Sequence, residues 1–379
     1  MLNINISETI EIFQKMTNIA KENNAINLSQ GIPNNIYDTL WQNEVCNQTK
    51  NHWQYTPIDG DYEFIQQVNL LYNNIYDKNI TITSGCTEAL IAALFSFKSQ
   101  GFKQIIVAEP FYPYYRGMAE MAGLVWQTSP MLIEQGKIAL DIDDLNEKLK
   151  LGKSVLLINS PHNPTGHVVS TAEWSHIKNI ITHNHAALLI DDVYRDFCFN
   201  DTTIPYQELT ALNTLVAGSI SKSLAGCGVR LGWIAGTPSS LAIAKSAHSH
   251  MSNCLPEILQ RAASNLLKKY HVSESHRVNK CYQARRDHLY HTLRISGFEA
   301  LRPQGGHFIM ARWLENQDMS ATEQCYALTR MIGVTPLPMD AFFTENKEQW
   351  LRFSYAVSDD AMETACTRIN TLWSQRDNE

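Results

Sequence analysis

The chain has 379 residues, a formal net charge of −7 at pH 7, 44% hydrophobic residues and 18% charged residues. This length predicts two domains with a large buried core, and the composition is typical of a globular protein. The negative charge and the lack of a basic cluster argue against nucleic acid or an anionic membrane surface as a partner, and no apolar stretch is long enough for a membrane span.

The amino-terminal stretch, residues 1–20, carries polar and acidic residues between its apolar positions. This pattern predicts an amphipathic helix or arm rather than a secretory signal. The eight cysteines of the chain are scattered without a CxxC pair, as expected for reduced thiols. We therefore expect a cytoplasmic protein in which residues 1–45 form an arm that packs with a second, smaller domain.

Short apolar runs alternate with helical stretches through the middle of the chain. Predicted strands cover 79–83, 104–110, 154–161, 186–192 and 214–219, and predicted helices cover 86–97 and 170–184. Buried strands without polar alternation, separated by helices, indicate a mainly parallel sheet that is covered on both faces. We predict such an α/β domain over residues 46–275, with ligands bound beyond the carboxyl ends of the strands.

The pattern changes after about residue 270. Residues 273–296 predict one long polar helix that could bridge two domains, and shorter elements follow it, among them the runs GGHFIMARW and WLRFSYAV. These elements predict a smaller α+β domain over residues 276–379.

Polar residues follow the first predicted strands at their carboxyl ends. Gly85 can turn the chain tightly into a helix, where the N–H groups of Cys86 and Thr87, with the Thr87 hydroxyl, would form an anion site. Asn163 lies between two prolines, which would fix the direction of its amide in a rigid loop. Taken alone, a plain capped helix and an ordinary turn explain these two stretches equally well.

The run LLIDDVYRDF places Asp191 and Asp192 directly after a wholly apolar strand, with Tyr194 close behind them. A carboxylate at the buried end of a strand is costly unless a cation meets it. A helix cap or an internal salt bridge is the alternative explanation, and this run alone does not choose between the two acids.

The stretch VAGSISKSLAGCGVRLGWIAG (216–236) places Lys222 close after Ser219, with Arg230 eight residues later among glycines. Glycine permits a close backbone approach, and arginine suits bidentate phosphate recognition. Taken alone, Lys222 could be a solvated loop residue. A lysine, a carboxylate, a phenol, an amide and an anion site with its own arginine are together what pyridoxal phosphate requires, because this cofactor needs a Schiff-base lysine, a partner for its ring nitrogen and a phosphate site.

With these residues the chain resembles the fold-type I, class I/II aminotransferases over nearly its whole length. The resemblance is carried by NLSQGIP (27–33), QYTPIDG (54–60), TSGCTEA, EPFYPYY (109–115), SPHNPTG, IDDVY (190–194), SISKxxxxxGVRLGW and LRFSYA (351–356). LSQGIP and QYTPIDG are most similar to the methionine and kynurenine/glutamine aminotransferase branch. The resemblance implies an α/β fold with a mainly parallel, seven-stranded sheet covered by helices, and a smaller α+β domain.

The resemblance also implies a role for each candidate residue. Lys222 would carry the Schiff base and later move a substrate proton, for which its amine must lose its own proton well below the usual lysine pKa of about 10.4. Asp191 would pair with the pyridine nitrogen of the cofactor. The remaining cofactor contacts would come from Tyr194 and Asn163 at the ring oxygen, Tyr112 on the ring face, and Gly85, Cys86, Thr87, Ser219 and Arg230 at the phosphate.

Further implied roles concern the substrate and the second subunit. Arg352 would bind the substrate carboxylate, close to Asn163 and the backbone of Gly31. Tyr55 would reach the phosphate in the neighbouring subunit, which makes a homodimer the functional unit. Taken alone, both Arg352 and Tyr55 would be ordinary residues, the first a charge at a strand edge.

Some positions depart from the family pattern or have two explanations. Cys86 stands where the family usually has another small residue, so a backbone role remains but a hydroxyl role does not. His307 would face either the substrate side chain or the core or surface. The HNH (183–185) and HSH (248–250) stretches lack acidic or cysteine neighbours at ligand spacing, so we expect helix-end or surface histidines and no metal site.

The leading interpretation is an aminotransferase that moves an amino group from an L-amino acid to a 2-oxo acid, with methionine, glutamine or aromatic donors favoured. A Cβ–S lyase on the same scaffold is the alternative, because the same lysine, aspartate and arginine serve both reactions. A pyridoxal-binding transcriptional sensor is the third interpretation. Such a sensor needs a DNA-binding module, for which we expect no room before the QGIP motif.

Overall fold

The computed structural model describes residues 6–33, 37–48, 54–134, 136–200, 202–346 and 348–376. The described chain begins with α1 (Ile6–Glu22), β1 (Ile26–Asn27), α2 (Asp38–Gln48) and α3 (Tyr62–Leu71). Helix α1 confirms the helix predicted for residues 1–20, of which residues 1–5 lie outside the described residues.

The middle of the chain forms an α/β unit around one large sheet. Its strands are β2 (Ile80–Thr83), β3 (Gln104–Glu109), β4 (Val125–Glu134), β5 (Lys137–Leu140), β6 (Ser154–Asn159), β7 (Ala187–Asp191), β8 (Thr214–Ser219) and β9 (Gly232–Gly236). Its helices are α4 (Gly85–Ser99), α5 (Tyr114–Met121), α6 (Ile142–Leu149), α7 (Thr171–His183), α8 (Tyr206–Leu209), α9 (Ile220–Ser223), α10 (Pro238–Met251) and α11 (Glu257–Leu266).

The described strands of this sheet follow the order β2-β9-β8-β7-β6-β3-β4-β5. The five strands from β8 to β4 are parallel, whereas β9 runs antiparallel to both of its neighbours. The predicted α/β fold with a mainly parallel sheet is therefore confirmed. The sheet has eight strands instead of seven. Strand β4 continues past the end of β3, and the chain then turns back as β5, which pairs with this second part of β4.

Three strands of this sheet, β4, β5 and β9, were not predicted from the sequence. Strand β4 is partly exposed along its length, so it has no continuous apolar run. Strand β9 begins and ends with glycine, and a Cβ on Gly232 would lie 2.4 Å from the backbone of Gly85. A glycine is needed at this point because β9 passes directly under the start of α4.

Both faces of the sheet are apolar, as expected for parallel strands between helix layers. Leu189 and Leu215 belong to the buried cluster beneath α4, whereas their neighbours Leu188 and Val216 belong to the cluster on the other face, with Ile177 of α7. Strands β6, β7 and β8 are apolar in their interiors and end at their carboxyl ends with Asn159, Asp191 and Ser219.

The carboxyl-terminal part of the chain forms a smaller unit. Its elements are α12 (Val272–Ile295), β10 (Phe298–Ala300), β11 (Phe308–Trp313), α13 (Ala321–Ile332), β12 (Val334–Thr335), β13 (Leu337–Pro338), β14 (Leu351–Ser354) and α14 (Asp359–Arg376). Four described strands form an antiparallel sheet in the order β10-β11-β14-β13, and α12 confirms the long helix predicted for residues 273–296.

The amino-terminal elements divide between the two units. Helix α1 packs on α13 and β13, and β1 pairs with β12, in agreement with the predicted arm. Helix α2 instead packs on α11, and Trp41 Nε1 donates to the carbonyl of Leu224 at 2.9 Å. The proposed boundaries at residues 45 and 275 stay a prediction, since the second falls inside α12.

Within the described residues, no helix is both long enough and apolar enough to cross a membrane, and no group of three or more His, Cys, Asp or Glu side chains could hold a metal ion. His183, His185 and His250 are exposed, as expected. His248 lies in the last turn of α10, as expected of a helix-end histidine, but it is not at the surface. This residue is fully buried, with Nδ1 2.9 Å from Oε1 of Glu88, because α10 packs against α4.

The loop between β6 and α7 is held by a buried polar network. Glu173 Oε1 lies 3.0 Å from Nε2 of His167, and Oε2 accepts from the backbone N–H of Ser170 at 2.8 Å. Ser170 Oγ in turn accepts from the Glu173 N–H, which completes a capping box. Burial raises the pKa of Glu173, but the hydrogen bonds from His167 and the backbone outweigh it and hold that pKa at about 2.

Glu173→Ala is expected to lower the free energy of unfolding by about 1–3 kcal/mol at neutral pH, because a cap and a buried ionic hydrogen bond are lost. The native pKa lies below the unfolded value of 4.5, so this stabilisation is complete above pH 4.5 and is lost as the pH falls toward 2. Urea unfolding of the wild type and the variant at pH 7, 5 and 4 measures this difference in the free energy of unfolding. Glu323→Ala removes the exposed capping box of α13 and should cost less, and an equal cost would contradict the role of His167.

Candidate active site

A cavity of about 330 Å³ lies at the carboxyl ends of β6, β7 and β8, where the large sheet meets the smaller unit. It is lined by the predicted residues Gly31, Cys86, Thr87, Tyr112, Asn163, Asp191, Tyr194, Ser219, Lys222, Arg230 and Arg352. A larger groove, of about 850 Å³, runs along the outer surface of α7 and contains none of these residues.

Two predicted residues, Gly85 and Tyr55, do not line the cavity. Gly85 lies directly behind it with φ +73°, and a Cβ at this position would lie 2.4 Å from Nη2 of Arg230. Tyr55 is 85% exposed on the loop before α3. The structure thus brings together every predicted residue except Tyr55.

Lys222 is positioned by the short helix α9, which follows β8 directly. Ser219 caps this helix, its Oγ accepting from the Ser221 N–H at 3.3 Å. The Lys222 amine points back into the cavity and donates to the carbonyl of Gly31 at 2.7 Å, with Sγ of Cys227 at 3.9 Å. The lysine of α9 is therefore held against the amino-terminal segment.

The pKa of Lys222 is lowered from its ordinary value. Burial is the largest cause, and the positive charges of Arg352 and Arg230 act in the same direction, against the opposing influence of Cys227 and Asp191. A lysine in these surroundings loses its proton more readily than a free lysine, so its amine can act as a nucleophile or a base.

Asp191, the last residue of β7, is the acid that faces the cavity. Its Oδ2 accepts from the Tyr115 hydroxyl at 2.6 Å, and its Oδ1 accepts from the Val193 N–H at 3.1 Å and from the Cys86 thiol at 3.6 Å. Burial raises the pKa of this carboxyl, and the three hydrogen bonds act against that increase.

Asp192 points away from the cavity and into the core. Its Oδ2 accepts from the hydroxyls of Tyr72 at 2.8 Å and Tyr206 at 2.7 Å, and Arg195 lies 3.9 Å away. Burial raises the pKa of Asp192 to about 6. Consecutive residues at a strand end face opposite sides, so the structure decides between the two acids that the sequence left open.

The far end of the cavity is suited to an anion. Arg230 has φ +60°, and its guanidinium donates to the carbonyls of Cys227 at 3.0 Å and Ser84 at 3.4 Å. This places the cation over the start of α4, where Cys86 and Thr87 line the cavity. Unpaired N–H groups and the helix dipole favour negative charge at such a helix start.

Arg352 of β14 is a second cation in the cavity and is almost fully buried. Its Nη1 donates to Oδ1 of Asn163 and its Nη2 to the carbonyl of Ser29, each at 2.9 Å. The guanidinium carbon lies 3.8 Å from the ring centre of Phe308, and Nε has no hydrogen-bond partner among the described residues. Burial lowers the pKa of Arg352 to about 10, so this site favours a bound carboxylate.

Aromatic side chains form the remaining walls of the cavity. Tyr112 stacks on Tyr114 with ring centres 5.1 Å apart, and it meets Tyr115 edge-on at 5.3 Å. The ring centre of Tyr194 lies 5.9 Å from Nζ of Lys222. A flat ligand therefore has aromatic surface available within the cavity.

His307 does not line the cavity, and the structure decides between its two explanations. The imidazole is fully buried, stacks on Tyr282 at 4.8 Å and meets Phe197 and Tyr194 edge-on at 4.3 and 5.1 Å. His307 is thus a core residue behind Tyr194.

Several site residues were missed in the sequence. Tyr115 belongs to the EPFYPYY motif and Cys227 to the lysine motif, but neither residue was predicted to have a role of its own in the site. Phe13 lies on α1, and Gln30 Nε2 donates to its carbonyl at 3.2 Å, which fixes this helix beside the cavity. Helical periodicity could assign Phe13 to the apolar face of α1, but not to the wall of a cavity.

This set of residues fits pyridoxal phosphate. The cavity offers an amine with a lowered pKa, a buried carboxylate and aromatic side chains. A Cβ at position 85 would collide with the guanidinium of Arg230, so a glycine is needed there for this cation to lie over the start of α4, where a phosphate could bind.

Comparisons with known proteins agree with this geometry. A family model described as "Aminotransferase class I and II" matches residues 23–369. A probable N-succinyldiaminopimelate aminotransferase of Mycobacterium tuberculosis is 27% identical over 95% of this chain and 96% of its own. The methionine aminotransferase of Escherichia coli is 23% identical over 95% of both chains.

Solved structures are similar as well. The N-succinyldiaminopimelate aminotransferase structure from Mycobacterium tuberculosis superimposes with a TM-score of 0.87 at 26% identity, covering 95% of this chain and 97% of the other. An aromatic aminotransferase from Pyrococcus horikoshii has a TM-score of 0.85 at 21% identity, which shows the same fold, over 96% of this chain and 99% of its own.

Replacing Asp191 or Asp192 by alanine is expected to separate the roles of the two acids. Asp191→Ala removes the charge that faces the cavity, so pyridoxal phosphate should bind at least about tenfold more weakly. Asp192→Ala leaves the hydroxyls of Tyr72 and Tyr206 without their acceptor, so the thermal midpoint should fall by several degrees while cofactor affinity stays within about threefold. Fluorescence titration and calorimetry measure the two quantities. Equal losses of cofactor affinity in the two variants would contradict the assignment of Asp191 to the cavity and Asp192 to the core.

Proposed function

Because the chain belongs to the class I and II aminotransferases, which are pyridoxal phosphate-dependent transaminases, we propose that it transfers an amino group from an L-amino acid to a 2-oxo acid with Lys222 as the Schiff-base residue. The position of Lys222 carries this proposal. Its amine has a lowered pKa, lies 2.7 Å from the carbonyl of Gly31 and faces the same cavity as Asp191.

Pyridoxal phosphate, when bound, supplies an electron sink that makes the substrate Cα–H acidic. Lys222 would take the proton from the substrate Cα and would give it up again when the amino group is transferred. This role requires an amine that is neutral near pH 7. Asp191 would hold the proton of the ring nitrogen, and Tyr194 and Asn163 would donate to the ring oxygen.

The phosphate would lie at the start of α4. The N–H groups of Cys86 and Thr87, the Ser219 hydroxyl and the Arg230 guanidinium all border that end of the cavity. Arg230 is already held by two backbone carbonyls, so it needs little reorganisation to bind a dianion.

Arg352 would bind the substrate carboxylate through its free Nε and its outer nitrogens. Among the described residues that line the cavity, the only cations are Lys222, Arg230 and Arg352. Among the described residues no further cation lines the cavity for a side-chain carboxylate, whereas the rings of Phe13 and Tyr114 lie 6.1 Å apart beside Arg352. This supports methionine, glutamine or aromatic donors over aspartate.

The relatives support the same choice of donor only in part. The Escherichia coli relative is named for methionine, and the Mycobacterium relative is named for N-succinyldiaminopimelate. A third relative, from Dictyostelium discoideum, is a kynurenine–oxoglutarate transaminase. It is 23% identical over 93% of this chain and 92% of its own. A cytoplasmic location stays a prediction from the eight cysteines, none of which forms a disulfide within the described residues.

A homodimer is the proposed functional unit, with Tyr55 completing the phosphate site of the neighbouring subunit. The tyrosine is 85% exposed on a loop outside its own cavity, close in sequence to the exposed side chains of Ile58 and Tyr62. An exposed apolar group of this kind is costly in water and is typical of a subunit interface.

The first test mixes the cofactor-loaded protein with one amino acid at a time, without an oxo acid. An aminotransferase transfers the amino group once and stops, so the visible absorbance of the bound cofactor should fall while oxo acid appears in stoichiometric amount. Methionine, glutamine or an aromatic amino acid should react fastest. Stopped-flow absorbance and chromatography of the oxo acid measure the two changes.

Lys222→Ala is the matched variant for this test, and its rate should be at least about 10³-fold lower because both the base and the Schiff-base amine are lost. Sustained release of pyruvate and ammonia from a cysteine conjugate, with the absorbance retained, would instead indicate a lyase. Turnover by Lys222→Ala at the normal rate would contradict the role of the lysine.

Mixing two inactive variants tests the shared site. In a hybrid of Tyr55→Ala and Lys222→Ala subunits, one site keeps both Lys222 and the partner's tyrosine, so activity should return to about a quarter of the wild-type level after subunit exchange, with half of the dimers hybrid. Size-exclusion chromatography verifies the dimer. No recovery despite hybrid formation would contradict a Tyr55 contribution across the interface.

A further inference from the structure

Asp191 receives three hydrogen bonds from three separate parts of the chain. The Tyr115 hydroxyl comes from α5, the Val193 N–H from the residues after β7, and the Cys86 thiol from the first turn of α4. Among the described residues, these donors engage both carboxylate oxygens. The orientation of the carboxylate is thus determined by α5, by the first turn of α4 and by the residues after β7.

Cys86 can act only as a donor in this contact. Burial is the largest cause that raises the pKa of its thiol, and the nearby charges of Asp191 and Asp192 raise it further. The sulfur therefore keeps its proton, and the carboxylate at 3.6 Å is the acceptor. Cys86 then has two separate functions, because its backbone N–H borders the anion end of the cavity while its side chain turns toward Asp191.

Tyr115 is the stronger of the two side-chain donors. Its hydroxyl lies 2.6 Å from Oδ2 of Asp191, the distance of a charge-assisted hydrogen bond, and the tyrosine is almost fully buried. The ring is held in place by Tyr112, which meets it edge-on at 5.3 Å. Tyr115 therefore holds one oxygen of the carboxylate, and Cys86 prevents the other from turning away.

We propose that Cys86 and Tyr115 are positioning residues that hold the Asp191 carboxylate toward the ring nitrogen of the cofactor. This proposal rests on the proposed function, in which Asp191 holds the ring-nitrogen proton. A carboxylate that is free to rotate would share that proton in several geometries, and its preorganisation would be lost.

The first experiment measures the thiol itself by infrared spectroscopy of the full-length, cofactor-loaded protein. The S–H stretching band of Cys86, assigned from the difference spectrum against Cys86→Ala, should lie at lower wavenumber than that of Cys325, a fully buried thiol in α13. Asp191→Asn should move the Cys86 band to higher wavenumber and leave the Cys325 band in place. A Cys86 band that does not move would overturn the proposal.

The second experiment measures kinetics. Cys86→Ala should lower kcat roughly threefold with KM unchanged, Cys86→Ser should restore it because a hydroxyl also donates, and Tyr115→Phe should lower kcat roughly tenfold, in proportion to the stronger hydrogen bond. A Cys86→Ala enzyme with the wild-type kcat, or a serine variant no better than alanine, would overturn the proposal.

The two experiments also separate this proposal from the proposed function. A wild-type protein that neither takes up the cofactor nor transaminates would contradict the proposed function, and the infrared comparison could still be made on that protein. If the wild-type enzyme is active but its Cys86 S–H band does not shift in Asp191→Asn, only the positioning role would be contradicted.

Discussion

The site depends on the need to stabilise two buried charges of opposite sign, Asp191 and Arg352, that face one cavity. Among the described residues neither charge has an ion-pair partner in the cavity, and neutral donors and acceptors stabilise them instead. A buried charge without such hydrogen bonds would cost several kcal/mol. Helix α5, the loop that carries Asn163 and the segment around Ser29 must therefore pack around these two residues, and this requirement shapes the walls of the cavity.

The amino-terminal segment at residues 28–31 connects the two units at the site. The Ser354 N–H donates to the Leu28 carbonyl at 2.8 Å, Arg352 donates to Ser29, and Lys222 donates to Gly31. Gly31 lies so close to β11 that a Cβ would be 2.2 Å from the Phe308 ring. One short segment thus sets the distance between the lysine of the large unit and the arginine of the small one.

Much of the fold followed from local patterns. Strands β6, β7 and β8 are wholly buried, so their apolar runs stood out, and the polar residues after them proved to line one cavity. Strands β4 and β9 did not stand out, because one is half exposed and the other is bounded by glycines. The burial of His248 was not predicted for a related reason: its partner Glu88 is 160 residues away in the chain.

The sequence by itself determined the apolar strands, the residue types at their carboxyl ends and, through their combination, the cofactor and the family. Tertiary structure decided which acid faces the cavity, that His307 is a core residue, that Phe13 joins the wall from α1, and that the Cys86 side chain turns toward Asp191. The physical reason is that burial periodicity is local, whereas the direction and partner of a polar side chain depend on elements that are distant in sequence and meet only when the sheet is packed.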